Sequence, residues 1–198
     1  MLTRRAIASA AAVLALPGLA FAAPAPAFSG TDLDGKTRSL DEFRGKTVVL
    51  EWVNEGCPYV RKHYGAGSMQ ATQAMARADG AVWIQIVSSA PGEQGYFPGP
   101  AQAKAWIAAQ KAQPALMLLD PQGRIGRLYK ATATPGMVVI DKAGELVYRG
   151  AIDDRASTRV EDLKTAKNYV RAALSDLKAG RPVQAPFSRP YGCAIKYS

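Results

Sequence analysis

The chain has 198 residues, a formal net charge of +9, two cysteines and one histidine. That length fits one domain and is enough to bury a sizeable core. The basic residues are scattered rather than interleaved with aromatics, which argues against nucleic-acid binding, and there is no phosphate-cradling glycine loop, paired-carboxylate motif or internal repeat.

Met1-Leu2-Thr3-Arg4-Arg5 is a basic start, Ala6 to Leu19 an alanine-rich apolar run, and Ala20-Phe21-Ala22 a small-x-small cleavage signal. This layout predicts a secretory signal peptide over residues 1–22, since the run is shorter than the ~20 residues of a spanning helix. Thr3-Arg4-Arg5 also resembles a twin-arginine signal. The expected location is therefore periplasmic or secreted, with no stable membrane insertion after cleavage. Residues 23–27, Ala-Pro-Ala-Pro-Ala, read as an extended linker, residues 28–180 as the domain, and residues 181–198 as a Pro-interrupted tail carrying Cys193.

Within the domain, Phe28–Leu33 and Thr37–Leu40 flank the hairpin signal Asp34-Gly35. Thr47–Val53 and Ala81–Val87 are continuous apolar runs, hence buried strands. Pro58 to about Arg77 reads as one helix, Ser88–Pro100 as a Gly/Pro-rich loop that can border a site, Ala101–Ala112 as a helix and Ala115–Leu119 as a strand. Asp120-Pro121-Gln122-Gly123 is a turn. Gly136–Asp141 and Glu145–Arg149 are strands around Lys142-Ala143-Gly144, and Arg159–Ala179 is a long amphipathic helix. Buried strands joined by helices predict an α/β layer fold with parallel pairing, and the 136–149 hairpin adds an antiparallel pair.

The chemistry centres on Val48-Val49-Leu50-Glu51-Trp52-Val53-Asn54-Glu55-Gly56-Cys57-Pro58. Proline is favoured at the first helical position, so Cys57 falls at the N-cap, where free N–H groups and the helix dipole favour an anion. A thiol there ionises more easily, and the thiolate is the reactive form. Arg61 stands one helical turn on, able to stabilise that thiolate, whereas Glu55 opposes it. His63, six residues past Cys57, points elsewhere on an ideal helix and reads as a packing or surface residue. The two cysteines of an exported chain suggest a pair.

With Ala133-Thr134-Pro135-Gly136-Met137-Val138-Val139-Ile140-Asp141 and the order of elements from about Phe28 to Ala179, this motif resembles the thioredoxin-like superfamily. Within it the redoxin and peroxiredoxin-like branch, of the alkyl hydroperoxide reductase / thiol-specific antioxidant type, is the nearest likeness. The resemblance implies a central mixed β-sheet flanked by helices, here with an N-terminal β-hairpin extension. It also implies a cis Pro135 that shapes a substrate groove beside Cys57, Thr134 offering backbone hydrogen bonds to a bound chain, and Pro58 and Asn54 bordering the same groove. Tyr59 and Tyr96-Phe97 are further groove candidates, while Trp52, Trp83 and Trp106 are core or groove residues. A bound organic cofactor is not implied.

Two departures from the family stand out. Position 60 is Val60, so no Cys-x-x-Cys exchange can close within the motif. Counting back from Cys57, the peroxiredoxin hydroxyl and proline positions are Asn54 and Leu50. Cys193 is then the candidate resolving thiol, on a segment freed locally by Gly192. Glu51 sits six residues before Cys57, where thioredoxins carry a buried acid, and is a candidate proton acceptor or donor for either thiol. The expected function is thiol redox chemistry with a protein thiol/disulfide partner or a peroxide, and an electron donor outside the chain. One alternative is a non-catalytic module with a structural Cys57–Cys193 bond, worth about 4–5 kcal/mol on the loop-entropy model. The other is copper handling by Cys57, Cys193 and His63, since soft thiolates suit Cu(I).

Overall fold

A computed structural model describes residues 23–198, and the expected signal peptide lies outside the described residues. In chain order the elements are β1 (Ala23–Pro24), β2 (Ser29–Asp32), β3 (Thr37–Ser39), β4 (Val48–Trp52), α1 (Pro58–Gly65), α2 (Ser68–Ala78) and β5 (Val82–Val87). They continue with α3 (Pro100–Ala109), β6 (Leu116–Leu119), α4 (Arg124–Leu128), β7 (Ala133–Thr134), β8 (Gly136–Ile140), β9 (Glu145–Gly150), α5 (Tyr169–Lys178) and β10 (Cys193–Ala194). Eight strands form one mixed sheet in the order β1-β9-β8-β4-β5-β6-β2-β3. β4, β5 and β6 run parallel, as the alternation of apolar strands and helices requires, and β8 lies antiparallel to β4 with Glu51 opposite Met137.

The parallel strands are covered on both faces, which is why they read as unbroken apolar runs. Successive strand residues point to opposite faces. Val49 and Val53 join Cys57, Val60, Tyr64, Val170 and Leu174 in one core cluster, under α1, α2 and α5. Val48, Leu50 and Trp52 join Phe28, Ile125, Tyr129 and Ile195 in the other.

Four sequence expectations change. The single helix over 58–77 is two, because Gly67 adopts φ 73° between α1 and α2, a left-handed break favoured by glycine. The helix over 159–179 is a 3-10 turn at Val160–Lys164 followed by α5, which Asn168 caps by accepting the Arg171 N–H at 2.9 Å. Residues 23–27 are not all linker, since Ala23 and Pro24 pair with Leu146 and Glu145 at the sheet edge. The proline-interrupted tail forms β10 against β7 and buries Ile195. α4, too short to show a helical period, went unread. Asp120 holds its start by accepting the Arg124 and Gly126 N–H groups at 2.8 and 3.0 Å.

Candidate active site

Past Trp52 the chain leaves the sheet in a turn that Asn54 builds, its side-chain oxygen accepting the Gly56 N–H at 2.9 Å. Cys57 follows as the N-cap of α1 with Pro58 at the helix start. Its thiol is 0% exposed and donates to the Thr134 carbonyl at 3.2 Å. The Thr134–Pro135 peptide bond is cis, and β7 carries this segment past the thiol.

The tail brings the second cysteine to the same place. Cys193 stands opposite Thr134 in the β10–β7 pair, and each thiol shifts the ionisation of the other. Burial pushes the Cys57 thiol up. The Cys193 thiol, the Thr134 side chain and the N–H groups of Val60 and Cys193 more than offset this, so Cys57 ionises below the ordinary thiol range. Cys193 goes the other way, to about 12, through burial and then the adjacent Cys57, despite the opposing charges of Arg61 and Lys196. Of the two, Cys57 is the more readily ionised.

The tail is fastened on both sides of Cys193. Ile195 N–H donates to Thr132 at 3.1 Å, Ala90 N–H donates to Lys196 at 2.7 Å, and the Tyr197 hydroxyl donates to Ala131 at 2.7 Å. Gly192 has φ 123° and lies against Thr134, so a Cβ there would overlap the Thr134 carbonyl oxygen. Gly192→Ala is expected to push β10 off β7. Alkylation of Cys57 by iodoacetamide should then accelerate about tenfold or more while the fold melts within a few degrees of wild type. An unchanged alkylation rate would show that this approach does not hold the tail.

Upstream of Cys193, a buried polar cluster that the sequence did not reveal anchors Tyr191. Its hydroxyl donates to Asp153, which also accepts the Arg155 N–H at 2.9 Å. Lys62 and His63 of α1 lie 3.9 and 3.7 Å from Asp153, and Lys62 donates to the Arg155 carbonyl at 2.9 Å. Burial holds His63 down at about 4, against the pull of Asp153, so its ring is neutral at pH 7. The adjacent Lys62-His63 pair was the only sequence sign of this cluster.

Glu51 is 0% exposed, on the face of β4 that meets α1 and α2. Its carboxylate accepts from the Tyr64 hydroxyl at 2.7 Å, Trp83 Nε1 at 2.7 Å, Gln85 Nε2 at 3.2 Å and Gln73 Nε2 at 3.3 Å. Burial nonetheless raises it to about 7. None of its hydrogen bonds goes to Cys57 or Cys193. Arg61 bears on Cys193. Asn54 is fully buried, with its Nδ2 lacking a partner among the described residues. Tyr59 packs on Tyr191, ring centroids 5.6 Å apart. Phe97 is core rather than groove, packed on Trp106. The copper set is not assembled: among the described residues no group of three His, Cys, Asp or Glu side chains could hold a metal ion. Among them, too, no helix is long and apolar enough to cross a membrane.

Residues 21–149 match the model of the AhpC/TSA family. No curated protein matches the chain. An uncharacterized conserved protein from Geobacillus kaustophilus superposes with a TM-score of 0.73 at 24% identity, covering 93% of this chain and 98% of that one. A hypothetical protein from Sinorhizobium meliloti gives 0.71 at 22% identity, covering 92% and 97%. A putative thiol:disulfide interchange protein DsbE from Chlorobium tepidum gives 0.52 at 22% identity, covering 65% and 82%. The fold is thioredoxin-like, with the mixed sheet and flanking helices expected.

Proposed function

The chain belongs to the AhpC/TSA family, and on that premise we propose that it is a two-cysteine thiol–disulfide oxidoreductase of the cell envelope, with Cys57 as nucleophile and Cys193 as resolving thiol. The observation that carries this reading is the approach of the two cysteines: the buried Cys57 thiol at the start of α1 donates to the Thr134 carbonyl, and Cys193 stands opposite Thr134 in the β10–β7 pair. The leader-like residues 1–22 support export.

In the proposed cycle the tail lifts from β7, which uncovers Cys57. A two-residue strand pair is a small unit to open. The Cys57 thiolate attacks a substrate disulfide. A sulfur–sulfur bond forms to Cys57, the substrate bond breaks, and the departing thiolate takes up a proton. Cys193 then loses its proton and attacks Cys57 Sγ, releasing the second substrate thiol and leaving a Cys57–Cys193 disulfide. The substrate is reduced by two electrons, and a dithiol reductant outside the chain restores the pair. Pro135 and Thr134 edge the opened groove. Glu51 serves as a positioning residue, fixing α1 through Tyr64 rather than moving a proton at a thiol.

One observation favours a second substrate. The unpartnered Asn54 Nδ2 sits at the position where peroxiredoxins carry a hydroxyl, and it can donate to a peroxide. There Cys57 would take one oxygen as a sulfenic acid while alcohol or water leaves, and Cys193 would condense with it to release water.

Exposing the reduced protein to oxidised glutathione and mapping its peptides by mass tests the pairing. An intramolecular Cys57–Cys193 link is expected. Separate glutathione adducts on the two cysteines would sink the resolving role of Cys193.

A further inference from the structure

On the face of the sheet away from Cys57, a cavity of about 230 Å³ opens beside β8 and β9. A groove of about 630 Å³ shares Tyr129, Lys130, Arg149 and Phe187 with it, so the two are continuous. Together they reach the size range of small-ligand sites, about 300–1,000 Å³.

The walls are apolar and their polar tips are already used. Trp52 Nε1 donates to Ser88 at 3.1 Å and the Tyr129 hydroxyl donates to the Pro26 carbonyl at 2.6 Å. The two rings pack on each other, centroids 5.9 Å apart, and with Met137 and Val138 they line the space. Among the described residues three large hydrophobic side chains are exposed, and two of them, Leu128 at 44% and Phe187 at 60%, stand at this groove. An uncovered apolar surface of this kind marks a binding site more often than chance placement does.

The charge at the site is of one sign. Lys130 and Arg149 line both parts, no Asp or Glu lines either, and neither cation makes an ion pair with a described residue. An apolar slot with two unpaired cations is complementary to an amphiphile with an anionic head. The planar fork of a guanidinium matches a carboxylate in two-point contact.

We propose that this cavity and groove bind a medium-chain carboxylate, the chain lying along Trp52, Tyr129 and Phe187 and the head between Lys130 and Arg149. Trp52, Tyr129 and Val138 belong to the core cluster on the other side of the sheet from Cys57, while Ala133, Gly136 and Pro190 carry the cavity's edge to the β7 and tail segments that flank the thiols.

Calorimetry on the unaltered protein with three ten-carbon probes tests this: decanoate, decanol and decyltrimethylammonium. Decanoate should bind one to one, at least tenfold tighter than decanol, with the cation weakest. The double variant Lys130→Gln/Arg149→Gln should bring decanoate affinity down to that of decanol. Its Cys57 and Cys193 thiol counts should stay those of wild type. Equal binding of all three probes, an unaffected double variant, or no binding of decanoate would each overturn the proposal.

Discussion

Cys193→Ser protein is expected to react once with a disulfide substrate and stop, with the substrate held on Cys57 as a mixed disulfide in a one-to-one ratio. Wild type under the same conditions turns over, because Cys193 sits opposite Thr134 beside Cys57 and attacks at an effective concentration that a free thiol cannot match. Cys57→Ser should lose activity by on the order of 10³-fold or more, since a serine hydroxyl stays un-ionised where the thiol ionises readily. Mass spectrometry of quenched single-turnover mixtures reads both results. Multiple turnover by Cys193→Ser would remove the resolving role. Full activity in Cys57→Ser would remove the whole redox reading.

The second large effect belongs to Glu51, which carries a cost above neutral pH. Its carboxyl ionises near 7 in the folded protein, against an ordinary 4.5. A carboxyl raised on folding binds its proton more tightly in the native state. Its contribution to stability is fully present below about pH 4.5 and is lost as pH rises to about 7. The difference corresponds to about 3 kcal/mol. Glu51→Gln keeps the shape, and its amide oxygen can still accept from Trp83 Nε1 while its NH2 group faces the Tyr64 oxygen. The variant should match wild type near pH 4 and be more stable by up to about 3 kcal/mol at pH 8, read from urea melts across that range. A constant offset between the two proteins at every pH would show that Glu51 does not titrate in this window.

How much the sequence disclosed depended on whether local chemistry or distant packing made the decision. Val48–Trp52, Pro58 and the Gly136–Ile140 run each carry their own signal, an apolar run or a favoured N1 proline. The central strands and the N-cap position of Cys57 were therefore legible. Glu51 stood out as an acid inside an apolar strand, but its partners Tyr64, Gln73, Trp83 and Gln85 come from three other elements and leave no trace in spacing. The break at Gly67 was visible only as a glycine, and glycine within a helical pattern does not by itself end a helix. The anchor of the tail was the least legible, because Tyr191, Asp153 and His63 meet across more than a hundred residues. The Cys57–Cys193 approach is of the same kind: two residues far apart in the chain, joined by a two-residue strand pair whose fit depends on Gly192 lacking a Cβ.

The central claim is that Cys57 and Cys193 form an exchangeable couple. Equilibrating the protein in glutathione and dithiothreitol buffers and counting free thiols by mass measures it directly. The account predicts a two-electron transition with a midpoint between about −120 and −270 mV, the range of known exchange proteins, because the easily ionised Cys57 favours the reduced state. A midpoint below about −300 mV would make the bond a structural staple, and no bond between the two cysteines would contradict the account outright.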